Sequence, residues 1–271
     1  MRAAILSLSL ILLAGSLAAP VTRAQDSPTQ DSSAQDSRPQ DAARPEDKPV
    51  CDVPAYLLSS ESGLAKVTEA VKGGKPLNVL VVGSRSSTIP SLEASAWPAQ
   101  LQATLKAKLG ALPVNLSVEI QASKTAEDTA ATLVKLVEAK SPTLVIWQTG
   151  TVDAIRGIDP DDFRGAVDEG VTALQKAGVD VVLMNLQYSP RTETMTSVPP
   201  YLDNMRVVAQ QHDIPLFDRF AIMRHWNDSG DFDLFSTTHG VELAKRVHAC
   251  IGRALTKFVV DTAHLDQAQQ N

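Results

Sequence analysis

The chain has 271 residues, a formal net charge of −6 at pH 7 and a hydrophobic content of 44%. This acidic balance argues against a nucleic-acid partner, because binding to a phosphate backbone needs a basic surface. The two cysteines are too far apart in sequence for a zinc site built on cysteines, and the chain has no glycine-rich phosphate loop or dinucleotide fingerprint. We therefore expect no metal and no cofactor.

The first 24 residues have the pattern of a secretory signal peptide. Arg2 is followed by an apolar run that ends at Leu13 and then by small residues, with cleavage expected after Ala19 or Ala24. The apolar run is shorter than the roughly 20 residues that a helix needs to cross a bilayer. The sequence therefore predicts a periplasmic or secreted protein, with no stable membrane insertion after signal cleavage.

Residues 25–49 repeat the unit Gln-Asp-Ser or Gln-Asp-Ala, which starts at positions 25, 30, 35 and 40. This segment has almost no apolar side chains to bury and is typical of a disordered linker. The composition changes at about residue 50. We assign one folded domain to residues 50–262 and a flexible tail to residues 263–271.

Strands and helices alternate along the predicted domain. Runs of aliphatic and β-branched residues predict strands at 77–82, 114–120, 143–148, 179–185 and 214–218. Apolar residues at helical spacing predict helices at 62–73, 97–110, 125–140, 159–178, 201–212 and 241–260. This alternation predicts an α/β fold with an open, mostly parallel sheet and helices on both faces. Candidate site residues are then expected in the loops that follow the strands, beyond their carboxyl ends.

The two cysteines are Cys51 and Cys250. An exported protein meets an oxidising compartment, where two unpaired thiols are a liability, and so we expect a Cys51–Cys250 disulfide. The alternative is a buried thiol at Cys250 and an unpaired thiol at Cys51.

Three blocks of the sequence resemble the SGNH/GDSL hydrolases. The blocks read VLVVGSRSST, LVIWQTGTVDAIRG, and VDVVLMNLQYSPR followed by PLFDRFAIMRHW, and they extend from about Leu77 to Trp226. The resemblance implies a three-layer, flavodoxin-like fold and a serine esterase or acyl hydrolase activity. In this family a histidine activates the serine and an aspartate orients the histidine. Two backbone amides and an asparagine side chain form the oxyanion hole.

The resemblance leaves the position of the nucleophile open. Aligned without gaps to the motif Gly-Asp-Ser-Leu, the serine position is occupied by Arg85. Matching the Ser-Thr end of the block, with one residue inserted, makes Ser86 the nucleophile and leaves Ser84 as the alternative. A polar loop whose hydroxyls cap the following turn is the other interpretation.

The oxyanion region departs from the family pattern at two places. Ser123 or Lys124 stands where family members have a glycine, the residue that best tolerates a positive φ. In the stretch GTVDAIRG, Gly150 and Thr151 retain the family residues, and the Thr151 hydroxyl could act as a donor. Val152 replaces the oxyanion asparagine, and its side chain donates no hydrogen bond.

The Asp-x-x-His pair that the family places before the last helix is missing. His239 is the only histidine in the expected stretch ahead of the last predicted helix, and Asp233 lies six positions earlier, with Asp228 and Asp231 as alternatives. Because catalytic triads are defined by geometry rather than by spacing, a longer loop could still bring Asp233 to His239.

Two functional hypotheses follow. In the first, an exported esterase acts through Ser86, His239 and Asp233 on a small ester or on an acetylated glycan of the cell envelope. In the second, a catalytically inactive member binds a glycan, a lipid or a protein partner in the envelope, and Arg85 holds an anionic group. We expect a monomer in both cases. His248 falls inside the last predicted helix, which favours a structural role.

Overall fold

A parallel sheet of five strands forms the centre of the protein, whose computed structural model describes residues 51–235 and 240–268. The strands are β1 (Leu77–Gly83), β2 (Val114–Ile120), β3 (Leu144–Gln148), β4 (Asp180–Met184) and β5 (Leu216–Phe217). Their order across the sheet is β2-β1-β3-β4-β5, and each pair of neighbours is parallel. This is the flavodoxin-like, doubly wound order, and it confirms the predicted fold class.

Helices connect the strands and cover the sheet. They are α1 (Ala55–Leu58), α2 (Ala65–Lys72), α3 (Trp97–Leu109), α4 (Ala126–Lys140), α5 (Thr151–Arg156), α6 (Pro160–Lys176), α7 (Pro190–Met195), α8 (Pro199–Gln211), α9 (Arg219–Asp228), α10 (Gly240–Thr262) and α11 (Leu265–Ala268). The six helices that the sequence predicts are present as α2, α3, α4, α6, α8 and α10, with their ends within one turn of the predicted positions. Helix α9 begins within the PLFDRFAIMRHW block of the resemblance and is not among the predicted helices. Helices α1, α5, α7 and α11 also lie where the sequence pattern predicts none, because each is too short to show a helical period.

The central strands are buried because helices pack against both faces of the sheet. Helices α3 and α10 pack against each other in one layer, and α6 packs against α4 and α8 in another. All five residues of β3 are buried, which explains its continuous apolar sequence. Strand β2 lies at an edge, and its alternating pattern leaves Val118 and Ile120 partly exposed.

The start of α4 is fixed by a capping box and by a second carboxylate. The Thr125 hydroxyl accepts a hydrogen bond from the Asp128 N–H, and the Asp128 carboxylate accepts one from the Thr125 N–H, both at 3.2 Å. The hydrogen bond from the Thr125 N–H, together with the Thr125 side chain, lowers the pKa of Asp128. The Ala126 N–H donates to the carboxylate of Asp153 in α5 at 2.8 Å. This hydrogen bond therefore connects the start of α4, which follows β2, to α5, which follows β3.

Cys51 and Cys250 form a disulfide with Cα atoms 5.4 Å apart, which confirms the predicted pairing. The bond joins the first described residue to the middle of α10 across 199 residues of sequence.

The structure describes part of the predicted tail and neither of the two segments that are predicted ahead of the domain. The predicted signal peptide (1–24) and linker (25–49) lie outside the described residues. The predicted tail (263–271) includes α11, in which Leu265 is buried against the core. Among the described helices, none combines the length and the apolar character that crossing a bilayer requires.

Loss of the disulfide should destabilise the domain. The double variant Cys51→Ser/Cys250→Ser is expected to lower the free energy of unfolding by about 2–5 kcal/mol, because the unfolded chain regains the freedom that the covalent loop removes. Urea unfolding followed by circular dichroism measures the change, and reduced wild-type protein is the control. If the oxidised and the reduced wild-type protein unfold at the same urea concentration, the bond does not stabilise the domain.

Two glycines of α6 provide a matched test of the packing between α6 and the sheet. A Cβ at Gly170 would lie 2.5 Å from the ring of Trp147, whereas a Cβ at Gly165 meets nothing within 4 Å. Gly170→Ala is therefore expected to lower the free energy of unfolding by about 1–3 kcal/mol through overpacking. Gly165→Ala is expected to raise it by about 0.5–1 kcal/mol through helix propensity. Changes of the same sign in urea unfolding would contradict this packing.

Candidate functional site

The serine-rich turn after β1 is held by one side chain, Gln148 at the end of β3. The Gln148 Oε1 atom accepts hydrogen bonds from the Ser84 N–H at 2.9 Å, the Ser84 hydroxyl at 3.1 Å and the Ser87 hydroxyl at 2.8 Å. The Ser86 hydroxyl lies 3.4 Å from the same oxygen. Since β1 and β3 are neighbouring parallel strands, their carboxyl ends bring the turn and Gln148 together.

The three serines have different roles in this turn. Ser87 is buried, and a Cβ at Gly83 would lie 2.3 Å from its Oγ, so that only glycine permits this approach. The Ser84 hydroxyl accepts a hydrogen bond from the Ser86 N–H at 3.3 Å and caps the short 3₁₀ helix Arg85–Ser87. Ser86 is half-buried, with its hydroxyl 3.1 Å from the Ser84 Oγ. Ser84 and Ser87 therefore stabilise the turn, and the turn positions Ser86.

Ser86 lines a cavity of about 220 Å³. The other polar side chains of its lining include Gln187, Arg219 and His248. Its apolar side chains include Trp97, Met223, Leu234, Leu243, Val247 and Ile251. An apolar wall with a few polar groups is typical of a site for a small molecule. The cavity lies among α3, α9, α10 and the loop after β4.

His248 lines this cavity but is not suited to act as a base. Its Nδ1 atom accepts a hydrogen bond from the Trp97 N–H at 2.9 Å, so the neutral ring carries its proton on Nε2. Burial, together with the nearby charge of Arg219, lowers the pKa of His248 to about 4. The ring is therefore neutral at pH 7 and has no free lone pair on Nε2 to accept the Ser86 proton.

The predicted oxyanion region surrounds a second cavity of about 10 Å³. Its lining includes Ser84, Lys124, Gly150, Thr151 and Val152. The stretch GTVDAIRG after β3 is not a loop throughout, because residues 151–156 form α5. Gly150 caps this helix with a φ of 92°, and a Cβ there would lie 2.6 Å from the Leu186 Cδ1 atom. Gly150 therefore needs to be glycine for two reasons, its backbone and its packing.

Ser123 occupies the other predicted glycine position. Its φ is 58°, so the loop after β2 does adopt the left-handed conformation that glycine favours. Ser123 is not among the residues that line either cavity described above, whereas its neighbour Lys124 lines the smaller one.

The smaller cavity contains hydrogen-bond donors other than an asparagine. Gln148 Nε2 and Thr151 Oγ1 are buried and have no hydrogen-bond partner among the described residues. The orientation of the Gln148 amide follows from its contact with the Ser84 N–H, which can only donate and so requires Oε1 on that side. Val152 adds no donor to this group. Two uncommitted polar groups therefore belong to residues that line the same small cavity as Val152.

Asp153, the residue after Val152, has a structural role. Its Oδ1 atom accepts the hydrogen bond from the Ala126 N–H at the start of α4. Burial raises the pKa of this carboxyl group, and hydrogen bonds from backbone N–H groups oppose the shift.

The predicted base and its partner lie at the edge of the described residues. His239 is outside them. Asp233 is exposed, and its Oδ1 atom accepts a hydrogen bond from the Phe235 N–H at 3.1 Å. Of the alternatives, Asp228 pairs with Arg224 at 3.7 Å, and Asp231 is half-buried. The pairing of Asp233 with His239 stays a prediction.

The remaining predicted residue, Arg85, is exposed and is not among the lining residues of the two cavities. No group of three or more His, Cys, Asp or Glu side chains within the described ranges is arranged to hold a metal ion.

Two residues of the site are absent from the sequence predictions, Gln148 and Arg219. Gln148 has a sequence signal, since it is a polar residue directly after four apolar residues of a buried strand. Arg219 has no such signal, because it lies in a mixed polar and apolar stretch and becomes buried only through the contacts of α9.

Solved structures with the same fold include three hydrolases at a TM-score of 0.52. The psychrotrophic esterase EstA from Pseudoalteromonas sp., inhibited by monoethylphosphonate, is 18% identical, and the match covers 72% of this chain and 99% of that one. The acetyl xylan esterase AlAXEase is 15% identical, with 64% and 97% covered. The lipase/acylhydrolase from Enterococcus faecalis is 19% identical, with 66% and 95% covered. At these identities the matches show a shared SGNH-hydrolase fold, which confirms the predicted resemblance.

A search among curated proteins gave no significant match to the sequence. The model of the Non-GDSL lipase-like family matches residues 50–265. That range includes the whole sheet, the serine turn and both cavities, and the chain therefore belongs to the Non-GDSL lipase-like family.

Proposed function

We propose that this protein is an exported serine esterase in which Ser86 is the nucleophile. The observation that carries the proposal is that the serines of the turn make different contacts. Ser84 and Ser87 hold the turn against Gln148, and Ser86 lines the apolar cavity of about 220 Å³. A hydroxyl at the mouth of a parallel sheet, beside an apolar cavity, is placed to attack an ester whose acyl group enters that cavity.

His239 is the proposed general base, and Asp233 orients it. His248 cannot be the base, because its Nδ1 atom accepts a hydrogen bond from the Trp97 N–H. His239 lies ahead of α10, where the family resemblance places the catalytic histidine. In the proposed reaction His239 takes the Ser86 proton while Oγ bonds to the ester carbon, and the leaving alcohol then receives that proton. Water attacks the acyl-enzyme in the second step, and the carboxylic acid leaves.

The proposed oxyanion donors are backbone amides near Ser86 and Ser123, assisted by side chains of the smaller cavity. The Thr151 hydroxyl and the Gln148 amide are the uncommitted donors there. They would take the place of the family's asparagine, whose position is occupied by Val152.

The substrate class follows from the size of the larger cavity. About 220 Å³ suits a short acyl or acetyl group rather than a long acyl chain. A small ester or an acetylated glycan of the cell envelope fits this size, and one protein with the same fold is an acetyl xylan esterase.

Export of this esterase is supported by two features. Residues 1–24 have the signal-peptide pattern, and Cys51 and Cys250 form a disulfide of the kind that persists in oxidising compartments. We propose that the signal peptide is removed from a monomeric protein in which the repeat linker 25–49 precedes the domain 50–262 and the short segment 263–271.

The alternative is a catalytically inactive member that binds a glycan, a lipid or a protein partner in the envelope. Val152 favours it, since the residue that usually stabilises the oxyanion is missing. In this alternative the exposed Arg85, next to Ser86, would contact an anionic group of the partner.

Removal of the Ser86 hydroxyl should abolish ester hydrolysis. Purified mature protein is expected to hydrolyse p-nitrophenyl acetate, and Ser86→Ala is expected to lower kcat/KM by about 1000-fold or more. Ser84→Ala should reduce turnover without abolishing it, and the exposed Ser59→Ala is the neutral control. Turnover that persists in Ser86→Ala would refute the nucleophile assignment. If the wild-type protein hydrolyses none of a panel of short-chain esters, the inactive alternative is supported instead.

Restoring the family's donor should raise the rate. Val152→Asn is expected to increase kcat by about 10-fold, less than the 100- to 1000-fold that loss of a native donor costs, because the surrounding groups are not adapted to it. Val152→Leu, which has no donor, should leave kcat unchanged or lower. An unchanged kcat in a folded Val152→Asn variant would place the oxyanion away from the start of α5.

A further inference from the structure

Arg219 is a buried cation in the wall of the larger cavity. It is the first residue of α9, and only 2% of its surface is exposed. Its Nη2 atom donates to the Gln187 Oε1 at 2.8 Å, and its Nη1 atom lies 4.0 Å from the Met184 sulfur. Its Nε–H is buried and has no acceptor among the described residues. A guanidinium has five N–H donors, so most of its capacity is unused.

No carboxylate in the described part of the chain balances this charge. The nearest in sequence, Asp218, is already engaged. Its Oδ1 atom accepts from the Asn185 amide at 2.7 Å and from the Ala221 N–H at 3.0 Å, and its Oδ2 atom accepts from Arg206 at 2.9 Å. The described residues that line the cavity include no Asp or Glu. Burial lowers the pKa of Arg219 to about 9, which still leaves the side chain charged at pH 7.

The same network holds Arg219 in place. The Asn185 Oδ1 atom accepts a hydrogen bond from the Phe220 N–H at 2.9 Å, so both sides of the Asn185 amide are bonded to the start of α9. The chain on both sides of Arg219 is therefore fixed, and the Arg219 side chain itself is held by its hydrogen bond to Gln187. A buried cation without a carboxylate partner is costly to the fold, and an anionic ligand would offset that cost.

The cavity indicates which anion fits. Arg219 is the only Lys or Arg side chain among the described residues that line it, and His248 is neutral. One cation suits a singly charged group better than a doubly charged phosphate. A planar carboxylate matches the planar guanidinium, and the apolar wall suits a short hydrocarbon chain.

We propose that this cavity binds a small organic carboxylate with a short apolar chain, its charge on Arg219 and its chain against the apolar wall. This site does not depend on hydrolysis. It also narrows the substrate of the proposed esterase. Either the ester carries a carboxylate on the part that enters the cavity, or the carboxylate that hydrolysis releases binds there as product.

The test compares hexanoate with its uncharged analogue, hexanamide. Hexanoate is expected to raise the Tm of the mature protein by about 5–10 °C at 100 times its Kd, since a ligand that binds only the folded state stabilises it. Hexanamide should have no measurable effect. Isothermal titration calorimetry then gives Kd for the wild-type protein and for Arg219→Met, in which the affinity should fall at least about 10-fold. Arg224→Met, on the same helix but not among the residues that line the cavity, is the matched control.

Equal effects of hexanoate and hexanamide on the wild-type protein would overturn the proposal, and this comparison holds even if Arg219→Met does not fold. Stabilisation by inorganic phosphate equal to that by hexanoate would overturn the choice of an apolar carboxylate. Hexanoate binding is measured without an ester present, so a protein that binds hexanoate but hydrolyses no ester would contradict the proposed hydrolysis alone. Binding therefore stands or fails separately from the proposed hydrolysis.

Discussion

The candidate site depends on the hydrogen bonds that Gln148 accepts from the serine turn. One oxygen at the end of β3 holds the backbone of Ser84 and the hydroxyls of Ser84 and Ser87, with the Ser86 hydroxyl at the limit of the same contact. Because Gln148 is itself buried, an unpaired oxygen there would be costly, and the turn is the only described partner of that oxygen. The register between β1 and β3 therefore fixes the position of the candidate nucleophile.

The remaining parts of the site are positioned by elements that have other structural duties. Asp153 caps α4, and the same short helix carries Val152 at the smaller cavity. Asn185 and Asp218 join β4 to α9 and so place Arg219 in the larger cavity. The serine turn lies between these two groups of residues, since Ser84 lines one cavity and Ser86 lines the other. Substitutions at the caps are therefore expected to act on the site as well as on stability.

Periodicity and composition were enough to predict the fold, because the long helices and the apolar strands carry strong local patterns. They also located the turn at 84–88 and the stretch 150–152 at the start of α5, since both follow predicted strands. The role of Gln148 could not be predicted, because it arises from two strands that are distant in sequence and adjacent in the sheet. Arg219 was missed for a related reason, since its burial comes from tertiary packing that leaves no local pattern. The positive φ at Ser123 is indicated by the glycine that the family has at this position and not by the residue itself, because serine is an uncommon choice for that conformation.

The disulfide between Cys51 and Cys250 also has a mechanical consequence. Its covalent ring encloses the sheet and nearly all of the helices, from α1 to the first half of α10. A force that pulls on the chain before Cys51 is therefore transmitted directly to α10 through the disulfide. It does not pass through the strands within the ring one after another. Since the repeat segment 25–49 precedes Cys51 in the sequence, such a bond would let the domain resist tension along the chain and keep its fragments joined after a single proteolytic cut within the ring.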